Sequence, residues 1–156
     1  MMRDTEAGGF DLDQFLPYLL NQAAEASSHS FAATYRRDYG MTRTQWRVMA
    51  NLGKFGAMSA TEICRIAHID KTKVSRAVSQ LESAGYLTRE KVAEDRRRER
   101  LALTEAGRAV FARLGAQALA FQAELAQGLG AERLAALEAA LRAVIALHRN
   151  TRVEPE

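Results

Sequence analysis

The stretch SATEICRIAHIDKTKVSRAVSQLESAG, from Ser59 to Gly85, decides the fold of this chain. Ser59 and Glu62 form a capping box, which predicts the start of a short helix. Asp70 is a suitable N-cap for a second helix, which we expect to run to Ala84 and to end before the glycine. Two helices joined by a turn of about three or four residues form a helix-turn-helix.

Two further helices are predicted upstream of this stretch. An apolar stripe indicates a helix from about Phe15 to Asp38, and Gly40 is suited to end it. The stripe consists of Leu16, Leu19, Leu20, Ala23 and Ala26. Thr42 and Gln45 form another capping box, which predicts the start of the next helix.

Downstream, the apolar period changes from that of a helix to that of a strand. Tyr86 to Val92 and Arg100 to Leu103 are predicted strands, and the polar run Ala93 to Glu99 is expected to be a hairpin tip. Thr104 is expected to cap a long helix that runs toward Gln127, and Gly128-Leu-Gly130 is expected to separate it from a second long helix. The predicted fold class is therefore mainly α: a winged helix-turn-helix with a β-hairpin wing and long flanking helices.

Charge is distributed unevenly along the 156 residues. Residues 43–100 carry 13 lysines and arginines against seven acids, whereas residues 1–42 carry three against six and residues 101–156 carry six against six. A basic block of this kind favours a polyanion as partner. The sequence contains no apolar run long enough to cross a bilayer and no secretory signal, so we expect a cytoplasmic protein without membrane contact.

One face of the helix predicted at residues 70–84 has the composition that a DNA major groove requires. Hydroxyl and basic side chains lie opposite the apolar positions Val74, Val78 and Leu81. These polar residues are Lys71, Thr72, Lys73, Ser75, Arg76 and Ser79. A solvated surface is the ordinary alternative, but such a surface mixes acids with bases, and no acid occurs between Lys71 and Gln80.

The hairpin tip contributes a second group of candidate DNA contacts. Arg96, Arg97 and Arg98 are placed where a wing can insert arginine into a narrow minor groove. Asp95 cannot attract phosphate itself, so we expect it to orient the guanidinium of Arg97 through a bidentate pair. Arginine runs are also common on solvated surfaces, and the position after a helix-turn-helix favours the wing interpretation.

The ordered set of motifs resembles the multiple-antibiotic-resistance regulator (MarR) family over roughly residues 12–148. The wing segment resembles the family's wing signature: Asp95-x-Arg97-x-x-x-Leu101-x-Leu103-Thr104-x-x-Gly107. Upstream pieces occur in the family's order: Thr42-x-x-Gln45-Trp46, Ser59-Ala-Thr-Glu-Ile63, Lys73-Val-Ser-Arg-Ala-Val78 and Leu81-Glu-x-x-Gly85-Tyr-Leu87. Each piece alone is weak, and the ordered set is specific.

The resemblance implies a homodimer that binds a pseudo-palindromic site on double-stranded DNA, most simply as a repressor. We expect a flexible segment at residues 1–11, dimerisation helices at residues 12–40 and 104–149, a DNA-binding domain at residues 41–103, and a tail at residues 150–156. The apolar stripes of the flanking helices exceed what one winged helix covers, which independently favours a partner.

The resemblance also implies a pocket for a small effector. Binding of the effector is expected to change the affinity of the protein for DNA. The candidate effector-binding residues are His29, Tyr35, Arg36 and Trp46, since an aromatic wall with a cation suits an aromatic carboxylate or a phenol. The alternative is structural: Trp46 suits a hydrophobic staple, and Arg36 complements a helix C-terminus.

Two other function classes were weighed against a DNA-binding regulator. An enzyme is disfavoured because no recognisable catalytic or phosphate-binding motif is present, and neither a cofactor nor a metal site is expected from the scattered histidines. A winged helix that binds an acidic protein remains an alternative, which salt-dependent binding to duplex DNA would separate from DNA recognition. The single cysteine, Cys64, is interpreted as a small core residue.

Overall fold

A computed structural model describes residues 9–149, apart from the side chain of Arg96. The predicted tail at residues 150–156, and most of the predicted N-terminal segment, therefore lie outside the described residues. A short 3₁₀ helix (Leu12–Gln14) precedes the other elements. These are α1 (Leu16–Tyr39), α2 (Arg43–Phe55), α3 (Ala60–Ala67), α4 (Lys71–Ser83), β1 (Leu87–Val92), β2 (Asp95–Leu103), α5 (Glu105–Leu129) and α6 (Ala131–Arg149).

The helix boundaries follow from local chemistry. Both predicted capping boxes are confirmed: Thr42 with Gln45 begins α2, and Ser59 with Glu62 begins α3. Gly40 ends α1 in the left-handed region (φ 62°), which costs glycine little. The mainly α fold with one hairpin confirms the predicted fold class.

The hairpin differs from the prediction in where its second strand begins. β2 begins at Asp95 rather than Arg100, so the turn contains only Ala93 and Glu94, and the expected tip of residues 93–99 is wrong in extent. The outer half of the hairpin is exposed, so its strands need no alternation of apolar and polar residues there. Because the strand bounds were predicted from that alternation, the outer part of β2 was not predicted.

A bulge interrupts the pairing of the two strands. Lys91 lies opposite Glu99 and Val92 lies opposite Asp95, which leaves three residues of β2 with no counterpart on β1. These are the arginines 96–98. The regular ladder of the hairpin is therefore interrupted at Arg97 and Arg98.

The hydrophobic core lies under α4 and is built by α2, α3, the inner half of the hairpin and the first turns of α5. Met58 extends the hairpin by one bridge to Leu101, with N···O distances of 3.0 and 2.8 Å. The fully buried side chains are Tyr35, Val48, Met49, Ile63, Val74, Val78, Leu81, Leu101 and Leu114.

Gly107 lets α5 approach the segment between α4 and β1 closely. A Cβ atom at this position would collide with the backbone carbonyl oxygen of Tyr86. The hydroxyl of Thr104 donates to the carbonyl of Gly85 (2.6 Å) and accepts from the backbone N–H of Gly107 (3.0 Å). These contacts give a physical reason for the threonine and the glycine of the quoted wing motif.

The chain divides into two compact units at Leu114, which lies inside α5. Val110 and Leu114 of α5 are buried in the core of the first unit, so the first part of this helix belongs to that unit. In the second unit, apolar side chains remain exposed on α5 and α6. They are Leu119, Leu125, Leu137, Leu141, Ile145 and Leu147. None of the helices between residues 9 and 149 combines the length and apolarity needed to span a membrane.

Candidate nucleic-acid interface

Helix α4 separates an apolar face from a polar one. Val74, Val78 and Leu81 are at most 2% exposed. All six polar residues predicted to contact DNA are exposed: Lys71, Thr72, Lys73, Ser75, Arg76 and Ser79. The hydroxyl and basic side chains are therefore available to a ligand along the length of the helix, as a recognition helix requires.

The start of α4 is fixed by Asp70. Its Oδ1 accepts a hydrogen bond from the backbone N–H of Lys73 (2.9 Å), and this bond lowers the pKa of the Asp70 carboxyl. The ammonium of Lys73 lies 3.6 Å from Oδ2 of the same carboxylate. The cap thus holds the first turn of the helix, in which Lys71, Thr72 and Lys73 lie.

The wing carries Asp95 and the arginine run at its outer end. Oδ1 of Asp95 accepts a hydrogen bond from the backbone N–H of Arg97 (3.1 Å), which differs from the expected pair with the guanidinium. The bulge explains the difference, because it leaves the N–H of Arg97 outside the ladder and in need of an acceptor. Arg97 and Arg98 are exposed, and the side chain of Arg96 lies outside the described part of the structure.

A groove of about 680 Å³ lies between the start of α3, helix α4 and the hairpin. Lys71 and Ser75 line it from the helix, and Arg97 and Arg98 line it from the wing. The other predicted contacts with described side chains are exposed but lie outside the lining. They are Thr72, Lys73, Arg76, Ser79 and Asp95. Helix and wing therefore present cations to one concave surface.

Three groove residues were missed by sequence reasoning: Thr61, Arg89 and Arg100. Thr61 lies in the first turn of α3, which was treated only as the supporting helix. Arg89 lies two residues after Leu87, so strand alternation places both on one face and was the signal available. Arg100 donates from Nη2 to the carbonyl of Ala57 (2.6 Å), a contact far apart in sequence that no local pattern reveals.

A second cavity, of about 320 Å³, lies between α1 and α2. Its lining residues are Ser28, Phe31, Tyr35, Arg43, Trp46 and Arg47. Tyr35 and Trp46, which were expected to bind an effector, therefore lie at one cavity. His29 and Arg36, the other two expected ligands, are exposed and do not contribute to this lining.

Helical periodicity explains which residues reach the cavity. Ser28, Phe31 and Tyr35 lie at i, i+3 and i+7 on α1, and so share one face. His29 and Arg36 each lie one residue further along and therefore point about 100° away around the helix. On α2, Arg43 and Arg47 are spaced by four residues and flank Trp46. The same spacing is present in the sequence, and helical periodicity is the signal that identifies Ser28, Phe31, Arg43 and Arg47.

Aromatic rings form one wall of this cavity. Phe31 packs edge-on against Tyr35 and against Trp46, with centroids 5.7 Å apart in both pairs, and Tyr35 stacks on Trp46 at 6.1 Å. Burial raises the pKa of the Tyr35 hydroxyl, so it stays protonated at neutral pH. The wall is therefore aromatic and uncharged.

Two arginines form the opposite, cationic side. Nη1 of Arg43 donates to Oε1 of Glu25 (2.7 Å), a bond that lowers the pKa of the Glu25 carboxyl. Arg47 donates to the carbonyl of Ala67, the last residue of α3. Burial, with a smaller contribution from the charge of Arg43, lowers the pKa of Arg47. Between residues 9 and 149, none of the ion pairs involves Arg47, so its charge is available to an anion.

The two surfaces were compared with known proteins. The family model described as "MarR family" matches residues 39–98, which span α2 to the wing. The transcriptional regulator PA4135 is 28% identical, with a TM-score of 0.76 over 90% of this chain and 98% of its own. A MarR family transcriptional regulator from Silicibacter pomeroyi is also 28% identical, with a TM-score of 0.78 over 88% of this chain and 98% of its own.

A third solved structure shares the fold at 23% identity. It is BpsR of Bordetella bronchiseptica, whose DNA binding is regulated by 6-hydroxynicotinic acid. The TM-score is 0.76, and the match covers 88% of this chain and 97% of BpsR. Family match, fold and an exposed basic helix beside a wing agree with one another. Residues 39–98 thus match the MarR family model, and the fold is similar to those of MarR-family transcription regulators.

Proposed function

We propose that this protein is a homodimeric repressor that reads a pseudo-palindromic operator and releases it when a small aromatic anion binds. The observation that carries the proposal is the groove between α4 and the wing, into which Lys71, Arg97 and Arg98 face. In this reading α4 enters the major groove, and the arginine bulge reaches the adjacent minor groove. The protein would act in the cytoplasm, where its DNA lies.

The polar face of α4 supports direct reading of bases. Arg76 lies near the middle of the helix, is exposed, and has no acid within one helical turn on either side. An arginine in a major groove binds the O6 and N7 atoms of guanine with two parallel hydrogen bonds. Lys71 and Lys73, in the first turn, suit phosphate contacts that set the register of the helix.

Exposed apolar side chains at both ends of the described chain support dimerisation. On α1, Leu16 and Leu19 are 53% and 46% exposed, and on α6 Leu137 and Leu141 are 43% and 37% exposed. A monomeric protein rarely leaves repeated large apolar residues in water on consecutive turns of a helix. A second copy of the chain that covers them brings two recognition helices to one DNA molecule.

The cavity between α1 and α2 supports an effector. Its volume lies at the lower end of the range for small-molecule sites, which suits a single-ring ligand. Three aromatic rings and two arginines favour an aromatic carboxylate or a phenolate. BpsR, which shares the fold, responds to a ligand of that chemistry, since 6-hydroxynicotinic acid is a hydroxylated aromatic carboxylic acid.

Helix α2 offers a route from this cavity to the DNA surface. Arg47 both lines the cavity and binds the last carbonyl of α3, immediately before the turn into α4. The neighbouring Gln45, which is buried, donates from Nε2 to Oε1 of Gln80 on α4 (2.6 Å), a partly buried contact. An anion that draws Arg47 toward the cavity therefore changes a contact of the helix-turn-helix itself.

The experiment selects a preferred DNA site from a random pool and compares wild type with Arg76→Ala on that site and on random DNA. We expect Arg76→Ala to cost about 1–3 kcal/mol on the selected site and much less on random DNA, because a base contact is lost. Arg113→Ala removes an equal charge from an exposed position on α5 and is the matched control. Equal losses on both DNAs would contradict base reading by Arg76, and no selected site would contradict the proposed function.

A further inference from the structure

Arg89 of β1 makes three side-chain contacts that link the wing to α4. Its Nε donates to Oε2 of Glu82 (3.0 Å), its Nη1 to Oε2 of Glu99 (3.2 Å), and its Nη2 to Oγ of Ser79 (3.2 Å). Glu82 and Ser79 belong to α4, and Glu99 belongs to β2. Every nitrogen of the guanidinium therefore has an acceptor within the protein.

The register of the hairpin explains why this arginine reaches α4. Arg89 lies opposite Leu101, which is buried, so its side chain leaves the hairpin on the face that packs on the core. Glu99 lies two residues from Leu101 on β2 and so projects from the same face as a diagonal neighbour. Glu90, the next residue along β1, projects from the opposite face.

We propose that Arg89 is a positioning residue that clamps the wing to the recognition helix and orients Ser79 for DNA, and that it does not itself bind phosphate. The inference rests on the proposed function, because it assumes that α4 and the wing bind one DNA molecule. Arg89 lines the basic groove, and its position alone suggests a phosphate contact. The proposal assigns it a positioning role instead.

The local charge supports this assignment. Two carboxylates lie within 3.2 Å of the guanidinium, so the Arg89, Glu82 and Glu99 cluster carries a net negative charge. Such a cluster adds nothing to the attraction of a polyanion. The Arg89 side chain is also only 33% exposed, whereas a phosphate contact needs its fork free.

The contact with Ser79 also fixes which hydrogen bond that hydroxyl offers. Oγ of Ser79 accepts from Arg89, so the lone pair that faces the hairpin is occupied, and the hydroxyl proton is directed elsewhere. Ser79 is exposed on the polar face of α4, where it then acts as a donor. Acceptors suited to a donor at this surface are phosphate oxygens and purine N7 atoms.

The test measures the affinity of the full chain for its selected DNA in Glu82→Ala, Glu99→Ala and Glu90→Ala. Each change removes one negative charge, and on charge alone each strengthens DNA binding. We expect Glu90→Ala to do so or to have no effect, whereas Glu82→Ala and Glu99→Ala weaken binding roughly threefold because the clamp loses an acceptor. Melting temperatures are measured in parallel, and we expect little change, since these ion pairs lie at the surface, where such pairs contribute little to stability.

Arg89→Lys and Arg89→Gln complete the test through the salt dependence of binding. A lysine keeps the charge but cannot bind three acceptors at once, so we expect both variants to weaken binding on the order of tenfold. The slope of log affinity against log salt stays at the wild-type value in both, because no phosphate contact is lost. A slope that falls by about 0.9 in Arg89→Gln alone identifies a phosphate contact and overturns the proposal.

Stronger binding by Glu82→Ala and Glu99→Ala, equal to that of Glu90→Ala, also overturns the clamp. That result leaves the proposed function intact as long as wild type binds its selected site and Arg76→Ala loses specificity. Failure of wild type to bind any DNA instead contradicts the proposed function. The two failures are therefore distinguishable.

Discussion

Asp95 illustrates how an acid can assist binding to a polyanion. Its carboxylate holds the backbone N–H of Arg97 at the edge of the bulge and so fixes where the arginine leaves the hairpin. Asp95 has two opposing effects on DNA affinity. It favours binding by orienting Arg97, and it opposes binding because its negative charge repels phosphate. We infer that the orienting effect on Arg97 is larger than the repulsion of phosphate, because Arg97 lines the same groove as the other cations.

The first residue-scale prediction concerns the wing. Arg97→Ala is expected to weaken binding to the selected site by about 1–3 kcal/mol, through loss of a minor-groove contact, and to leave the melting temperature unchanged because the side chain is exposed. Asp95→Ala is expected to weaken binding less, although it removes a negative charge. Affinity and thermal melting are measured on the same preparations, with Arg113→Ala as control. Full affinity in a folded Arg97→Ala protein would remove the wing from the account.

For single residues, the sequence predicts which side chains are exposed more readily than it predicts which atoms they contact. The exposed face of α4 was predictable from helical periodicity, because Val74, Val78 and Leu81 define the buried side. The partner of Asp95 was not, because it depends on a bulge whose position no local pattern specifies. The contacts of Arg89 likewise join residues up to ten positions apart on different elements.

Among the elements, α2 connects the most regions of the first unit. Its first turns carry Arg43, Trp46 and Arg47 toward the cavity, while Gln45 bonds to Gln80 of α4. The capping box that begins the helix uses the same Gln45, whose Oε1 accepts from the backbone N–H of Thr42 (3.1 Å). A ligand at this end of α2 is therefore expected to change both the cap and the contact with α4.

The element-scale prediction concerns the effector cavity. Trp46 is the only tryptophan of the chain, so its fluorescence reports on the cavity alone. We expect 6-hydroxynicotinic acid to change that fluorescence and its uncharged amide to do so much more weakly, since Arg43 and Arg47 favour an anion.

Arginine variants supply the controls for this measurement. Arg43→Gln is expected to weaken binding of the acid about tenfold, whereas Arg36→Gln, exposed and outside the lining, is expected to leave it unchanged. Equal binding of acid and amide would contradict a cationic site, even if both ligands bind.

The helices were the easiest elements to predict, and the hairpin was the hardest. Two capping boxes and a left-handed glycine determine where α2 and α3 begin and where α1 ends, and these signals are local. Strand β2 begins in a charged and exposed segment, where pairing with β1 rather than side-chain alternation defines the strand. The break between α5 and α6 occurs only at Gly130 (φ 85°), and Gly128 remains within α5.

For the whole molecule, the order of elements in the winged helix-turn-helix was predictable from the sequence. Each helix or strand has a local sequence pattern, and consecutive elements usually pack together. The division at Leu114 did not, since it depends on which turns of α5 are buried in the first unit. Assembly was expected from the surplus of apolar residues, and the exposed leucines of α6 fit that expectation. The dimer itself stays a prediction.

The assembly prediction concerns α6. Charged residues at Leu137 and Leu141 are expected to split the dimer and to remove most of the DNA affinity, because each half-site is then bound alone. Ala139→Glu with Ala143→Glu adds equal charge on the opposite side of the helix, and we expect it to leave the dimer intact. A dissociated variant that keeps full affinity would separate DNA binding from assembly.

The measurement that tests the central claim most directly is sedimentation of the wild-type protein together with a footprint on its selected DNA. The account predicts a dimer that protects two inverted half-sites on one face of the duplex, with centres about 34–36 Å apart, one helical turn. It also predicts that the Leu137 and Leu141 variant sediments as a monomer and loses the paired footprint. A wild-type monomer that protects a single half-site with full affinity would contradict it.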